Sequence, residues 1–103
     1  MARLGDIAKA CKSKNAGPFE LTLDIMFDDA VTFERVRATG VITPALIARL
    51  YHVPESSVVF TEYPPACAWK ATIERRIASG AVGDTDVYGA QQHAPLLGVE
   101  IPL

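Results

Sequence analysis

Between Phe19 and Phe27 the chain alternates without a break. Phe19, Leu21, Leu23, Ile25 and Phe27 fall on one side, and Glu20, Thr22, Asp24 and Met26 on the other. Period two belongs to a strand with one buried face, because successive side chains of a strand point to opposite sides. A helix would scatter the same residues around its circumference. The run therefore commits the chain to a sheet with apolar material against one side. Its length places the strand centrally, and the spacing predicts that all five apolar residues are buried.

The residues after this strand predict its cover. Asp28-Asp29 precedes Ala30, Phe33, Val36 and Arg37 at helical spacing, and Gly40 is a natural stop. Thr43-Pro44 is a second start, a capping hydroxyl followed by proline at the first helical position. Leu46, Ile47, Leu50 and Tyr51 make its apolar stripe, and Pro54 forbids continuation. His52 comes just after this helix end, where a cation suits the dipole. Val58–Tyr63 reads as a strand, Pro64-Pro65-Ala66 as a turn, and Cys67, Trp69, Ala71 and Ile73 as one face of a pairing strand, Trp69 in the core. Leu4–Lys9 is a short element whose period fits a strand or a helical turn equally. Lys12–Pro18 is read as a polar loop, Ala78–Gly83 as a small-residue loop, and Leu96–Leu103 as an apolar tail able to form an edge strand. Strands and helices come in clusters, so the expected class is α+β, a mostly antiparallel sheet with helices on one face.

With 103 residues the chain suffices for one domain, 1–103, and half of its residues are hydrophobic. A chain this small gains from docking, so a homo- or hetero-oligomer is expected. A net charge of -2 supplies no field for phosphate backbones, which argues against nucleic acid. No run approaches the roughly 20 apolar residues of a membrane span. The first residues carry charge too early for a secretory signal. Cys11 and Cys67 stand apart from each other and from any C-x-x-C, as thiols of a reducing compartment do, and a cytoplasmic location is expected.

Gly83-Asp84-Thr85-Asp86-Val87-Tyr88-Gly89-Ala90-Gln91-Gln92-His93 is the segment richest in chemistry. Acids, amides, a phenol and an imidazole beside glycines have the make-up of a binding loop. His93, Tyr88 and Asp86 are the candidate catalytic residues, as proton carriers on a small organic acid. The alternative is that Tyr88 packs and His93 caps a backbone carbonyl. Asp84 and Asp86 with His93 have uneven spacing for metal ligands, and no metal is assigned; an acid that caps a following turn explains them as well. Lys12, Ser13, Lys14, Asn15 and Gly17 offer ammonium, hydroxyl, amide and backbone N–H groups to a carboxylate or phosphate, unless they form an ordinary solvated turn. Asp84, Gln91 and Gln92 complete the candidate ligand-binding set. No Walker pattern or G-x-G-x-x-G is present, and no cofactor is assigned. If the loops at Lys14 and Asp84 leave the sheet on one side, Lys14, Asn15, Asp84, Asp86, Tyr88 and His93 converge.

Four segments carry a family resemblance. Leu4-Gly5-Asp6-Ile7-Ala8-Lys9, Ser13-Lys14-Asn15-Ala16-Gly17-Pro18-Phe19-Glu20, Asp24-Ile25-Met26-Phe27 and the run from Gly83 to Pro95 resemble the bacterial domain-of-unknown-function family 4387. Its members are similar to the small ferredoxin-fold domain that ends AtuA-type (acyclic terpene utilisation) proteins, which implies a ferredoxin-like fold. The resemblance also implies an AtuA-type large protein as partner. Here acids, Tyr88 and His93 stand where the AtuA-type domain tends to carry a glycine pair with basic and serine residues, so the resemblance implies no shared ligand. The family supplies no catalytic residues to carry over. Three functions are open at this point. One is an accessory subunit that docks on the AtuA-type protein and completes or covers a site for a carboxylate or acyl-CoA compound. Another is a self-sufficient hydro-lyase or isomerase for an organic acid. The third is a small-molecule sensor.

Overall fold

The computed structural model describes residues 1–17, 19–74 and 92–103. In chain order the elements are β1 (Ala2–Arg3), α1 (Leu4–Ile7), β2 (Ala10–Asn15), β3 (Glu20–Met26), α2 (Ala30–Thr39), α3 (Pro44–Tyr51), β4 (Val59–Tyr63), β5 (Ala68–Glu74), α4 (Ala94–Leu97) and β6 (Glu100–Ile101). One sheet has four strands in the order β2-β3-β5-β4, every neighbour antiparallel. β1 and β6 form a separate antiparallel pair, with Ala2 opposite Ile101. The class is α+β, with β3 central as its alternation requires.

Leu21, Leu23, Ile25 and Phe27 are buried, whereas Phe19 is 69 % exposed. The expectation for Phe19 is corrected by the strand boundary. Pairing with β2 ends at Asn15–Leu21, and the turn before Glu20 carries Phe19 outside the ladder. Period two constrains a side chain only where the neighbouring strands continue. On the other face, Glu20 is exposed and Asp24 half-exposed, while Thr22 is buried between Lys14 and Thr72 in the flanking strands.

Both central helices start and stop where the sequence says. Asp29 caps α2 by accepting from the Thr32 amide, and Gly40 closes it in the left-handed region at φ 69°. Thr43 accepts from the Leu46 amide at the head of α3, with proline in the first turn. α3 ends on His52 at φ 56°. Phe33, Val36, Leu46 and Ile47 from these helices share one core with Leu23, Ile25, Trp69 and Ile73 of the sheet. Trp69 lies 4.5 Å from the Phe33 ring and meets Phe27 edge-on at 5.8 Å. Its indole N–H donates to Glu62 Oε1 at 3.2 Å, and Arg37 Nε donates to the same oxygen at 2.9 Å. One carboxylate thus ties α2 and β4 to the core tryptophan.

Three further expectations change. Lys12–Asn15 is not loop but the last four of the six residues of β2, which runs antiparallel to β3 from Ala10 to Asn15. Cys67 precedes β5, closing the Pro64–Ala66 turn at φ 52°. The apolar tail divides: Leu96 and Leu97 lie in α4, and the edge strand, β6, pairs with β1 rather than with the main sheet. β5 lies between β3 and β4 and is antiparallel to each, with α2 and α3 in the connection from β3 to β4. A ferredoxin-like sheet takes the strand in the place of β2 from late in the chain, whereas here, among the described residues, it comes before β3. The Ala78–Gly83 loop lies outside the described residues.

Candidate functional site

The pleat of β2 sorts the polar residues of its sequence onto two faces. Cys11, Ser13 and Asn15 stand opposite Ile25, Leu23 and Leu21 and so share the core side of the sheet. Lys12 and Lys14 stand opposite Asp24 and Thr22 on the open side. The five residues expected to form one anion cradle are therefore divided. The ammonium groups belong to one face, Ser13 and Asn15 to the other, and Gly17 lies in the turn beyond at φ 100°. Lys12, Asp24 and Lys70 form a row across three adjacent strands of the open face.

On the core side a chain of hydrogen bonds joins β2 to the residues before α4. Ser13 is 7 % exposed and stands opposite Leu23. Its Oγ accepts from the Gln92 amide at 2.9 Å. The Gln92 carbonyl in turn accepts from the Tyr51 hydroxyl at 2.7 Å. Ser13 and Tyr51 thus hold the backbone of one residue from two sides, and α3 positions the phenol because Tyr51 is its last residue. His93 comes next in the chain, half-buried, with its carbonyl accepting from Leu96 in the turn that becomes α4. Buried polar groups left unpaired are costly. Among the described residues none of the buried side-chain nitrogens or oxygens lacks a partner.

The titration behaviour fits a site that keeps its protons. Burial pushes the Tyr51 phenol well above its ordinary value, with proximity to Cys11 adding to the shift. Burial also raises the Cys11 thiol. A thiol held protonated is no nucleophile. At neutral pH the Tyr51 phenol and the Cys11 thiol are thus neutral beside the Ser13 hydroxyl, suited to fixing a backbone or orienting a polar ligand.

Of the candidate residues, the structure brings Ser13 directly against Gln92, with His93 adjacent. Asp84, Asp86, Tyr88 and Gln91 lie outside the described residues, and so does their expected convergence with Lys14 and Asn15. Among the described residues no three His, Cys, Asp or Glu side chains gather as a metal site. Tyr51 and Cys11 are the members that sequence reasoning missed. Tyr51 completes the apolar stripe of α3, and nothing local distinguishes its hydroxyl. Its partner is 41 residues away in the chain.

These features define an α+β protein whose one sheet face is packed by helices and whose polar cluster sits at the β2 edge. The chain belongs to the family described as Domain of unknown function (DUF4387), whose model matches residues 4–100. Neither a curated protein nor a solved structure matches it. Among the described residues, no helix is long and apolar enough to cross a membrane.

Proposed function

We propose that this chain is a small accessory subunit that docks on an AtuA-type large protein in the breakdown of carboxylates or acyl-CoA compounds. The observation that carries the proposal is the open face of the sheet. Among the described residues the helices pack on one side, and the other presents Lys12, Asp24 and Lys70 in adjacent strands with Lys14, Thr72 and Glu74 around them. Alternating charge of this kind favours a chosen partner over non-specific association, since wrong juxtapositions are repelled. The resemblance to the small domain of AtuA-type proteins supplies the partner. The lysine, amide and histidine content of the two polar segments suits carboxylate or acyl-CoA chemistry.

Co-expression with the AtuA-type protein of the same organism, followed by size exclusion with light scattering, tests this. A stable complex is expected, and Asp24→Lys, which makes the central row wholly cationic, weakens it at least tenfold. Absence of any complex at tens of micromolar, or one indifferent to Asp24→Lys, overturns the proposal. The second reading, a hydro-lyase or isomerase, draws on the Ser13–Gln92 contact that sets His93 beside β2. Turnover of a hydroxy acid or enoyl thioester by the chain alone, lost in His93→Ala, would favour it.

A further inference from the structure

The two edges of the main sheet are built differently. β2, at one edge, carries Lys12 and Lys14. Lysine on an edge strand is one way of keeping other strands away. β4, at the opposite edge, has none. Its five residues, Val59-Phe60-Thr61-Glu62-Tyr63, contain no lysine and no proline. They pair with β5 one to one from Val59–Thr72 to Tyr63–Ala68, so no bulge bends the strand away. Among the described residues nothing pairs with its outer side. Val59 and Tyr63 nevertheless remain 61 % and 48 % exposed on the open face.

We propose that the outer edge of β4 pairs antiparallel with β4 of a second copy of this chain, about a two-fold axis through Thr61. Two four-stranded sheets then join into one continuous sheet. The strand itself argues for a copy rather than an unrelated strand, because it is complementary to its own reverse. The axis sets Thr61 against Thr61, and it sets Val59 of each copy against Tyr63 of the other. A β-branched residue opposite an aromatic one is a favourable cross-strand pair, and the symmetry supplies it twice. On the helix side Phe60 faces Glu62 of the other copy. No like charges stand directly opposed, and Glu62 already has Arg37 and the Trp69 indole as partners. The inference is independent of the proposed docking on a larger protein, which uses the open face rather than this edge.

Sedimentation of the chain alone, from one to several hundred micromolar, is the test. The expected species has twice the 11.1 kDa chain mass. Thr61→Lys opposes two ammonium groups on the axis and should raise the dimer dissociation constant at least a hundredfold. Thr61 is a half-exposed position on the open face, so the circular dichroism should be unchanged. Thr61→Cys should form an intermolecular disulfide on mild oxidation, faster than Val59→Cys, because only the axial residue meets itself. The cysteine variants keep the proposal testable if Thr61→Lys does not fold. A monomer at every concentration overturns it. So does a dimer that survives in folded Thr61→Lys, or equal cross-linking at positions 59 and 61. Complex formation with the AtuA-type protein is read separately, and its persistence in Thr61→Lys would leave the functional proposal standing whatever happens to the dimer.

Discussion

The Tyr51 hydroxyl donates to a backbone carbonyl inside the molecule, and the residue that carries this carbonyl is held on its other side by Ser13. Removing the phenol oxygen leaves the Gln92 carbonyl without that donor in a half-buried setting. Tyr51→Phe should cost about 1–3 kcal/mol, the usual range for orphaning a buried polar group. Urea unfolding at neutral pH measures it, and an unchanged midpoint would show that water substitutes freely for the hydroxyl. The burial of the phenol predicts a pH window. An unfolded phenol ionises near pH ~10, and burial holds the folded one higher. The folded state therefore favours the protonated form. The margin of wild type over Tyr51→Phe is full below pH ~10 and shrinks as pH rises through and beyond that value.

Among the elements, α2 shows how a local signal becomes structure. Asp29 Oδ1 accepts from the Thr32 amide at 2.7 Å, and Oδ2 from the Thr32 hydroxyl at 3.2 Å. The backbone bond from Thr32, followed by its hydroxyl, holds the Asp29 carboxyl below the ordinary carboxylate range. A depressed folded value means that the stabilisation is present above the unfolded pKa of about 3.9 and is lost as pH falls through the folded value. Asp29→Ala should thus lower Tm at pH 7, and the difference from wild type should close as the pH is brought toward 2. A constant difference across that range would assign the effect to something other than the charged cap. Asp29, Gly40 and Thr43-Pro44 are legible because capping is decided within four residues. β2 is not, because an edge strand with Cys11 and Ser13 toward the core and lysines outward lacks the hydrophobic contrast on which period two depends. Phe19 misleads for the opposite reason: the contrast outlasts the pairing. The Ser13–Gln92–Tyr51 chain spans up to 79 positions and leaves no local trace.

At the scale of the whole molecule, the first and last described elements close the core together. β1 pairs with β6, the Leu4 amide donates to the Val99 carbonyl at 2.7 Å, and Leu4, Leu96 and Ile101 are fully buried. Short strands and one-turn helices cannot stand alone, since such elements draw their stability from tertiary packing. They must form with the core or not at all. Gly5 is what lets α1 and α4 approach. A Cβ there would lie 3.0 Å from the Leu97 carbonyl oxygen and 3.1 Å from Leu97 Cβ. The oxygen belongs to the backbone and cannot rotate aside, so relief requires the two helices to part. Gly5→Ala should therefore weaken the clasp before it weakens the sheet. Hydrogen exchange distinguishes the two. The Leu4 amide, bonded to Val99, should lose protection by at least tenfold, while the Leu23 and Trp69 amides in the central strands keep theirs under conditions where the sheet stays folded. Equal loss at all three sites would mean that the clasp and the sheet open as one cooperative unit, and no loss at Leu4 would mean that α1 shifts without strain.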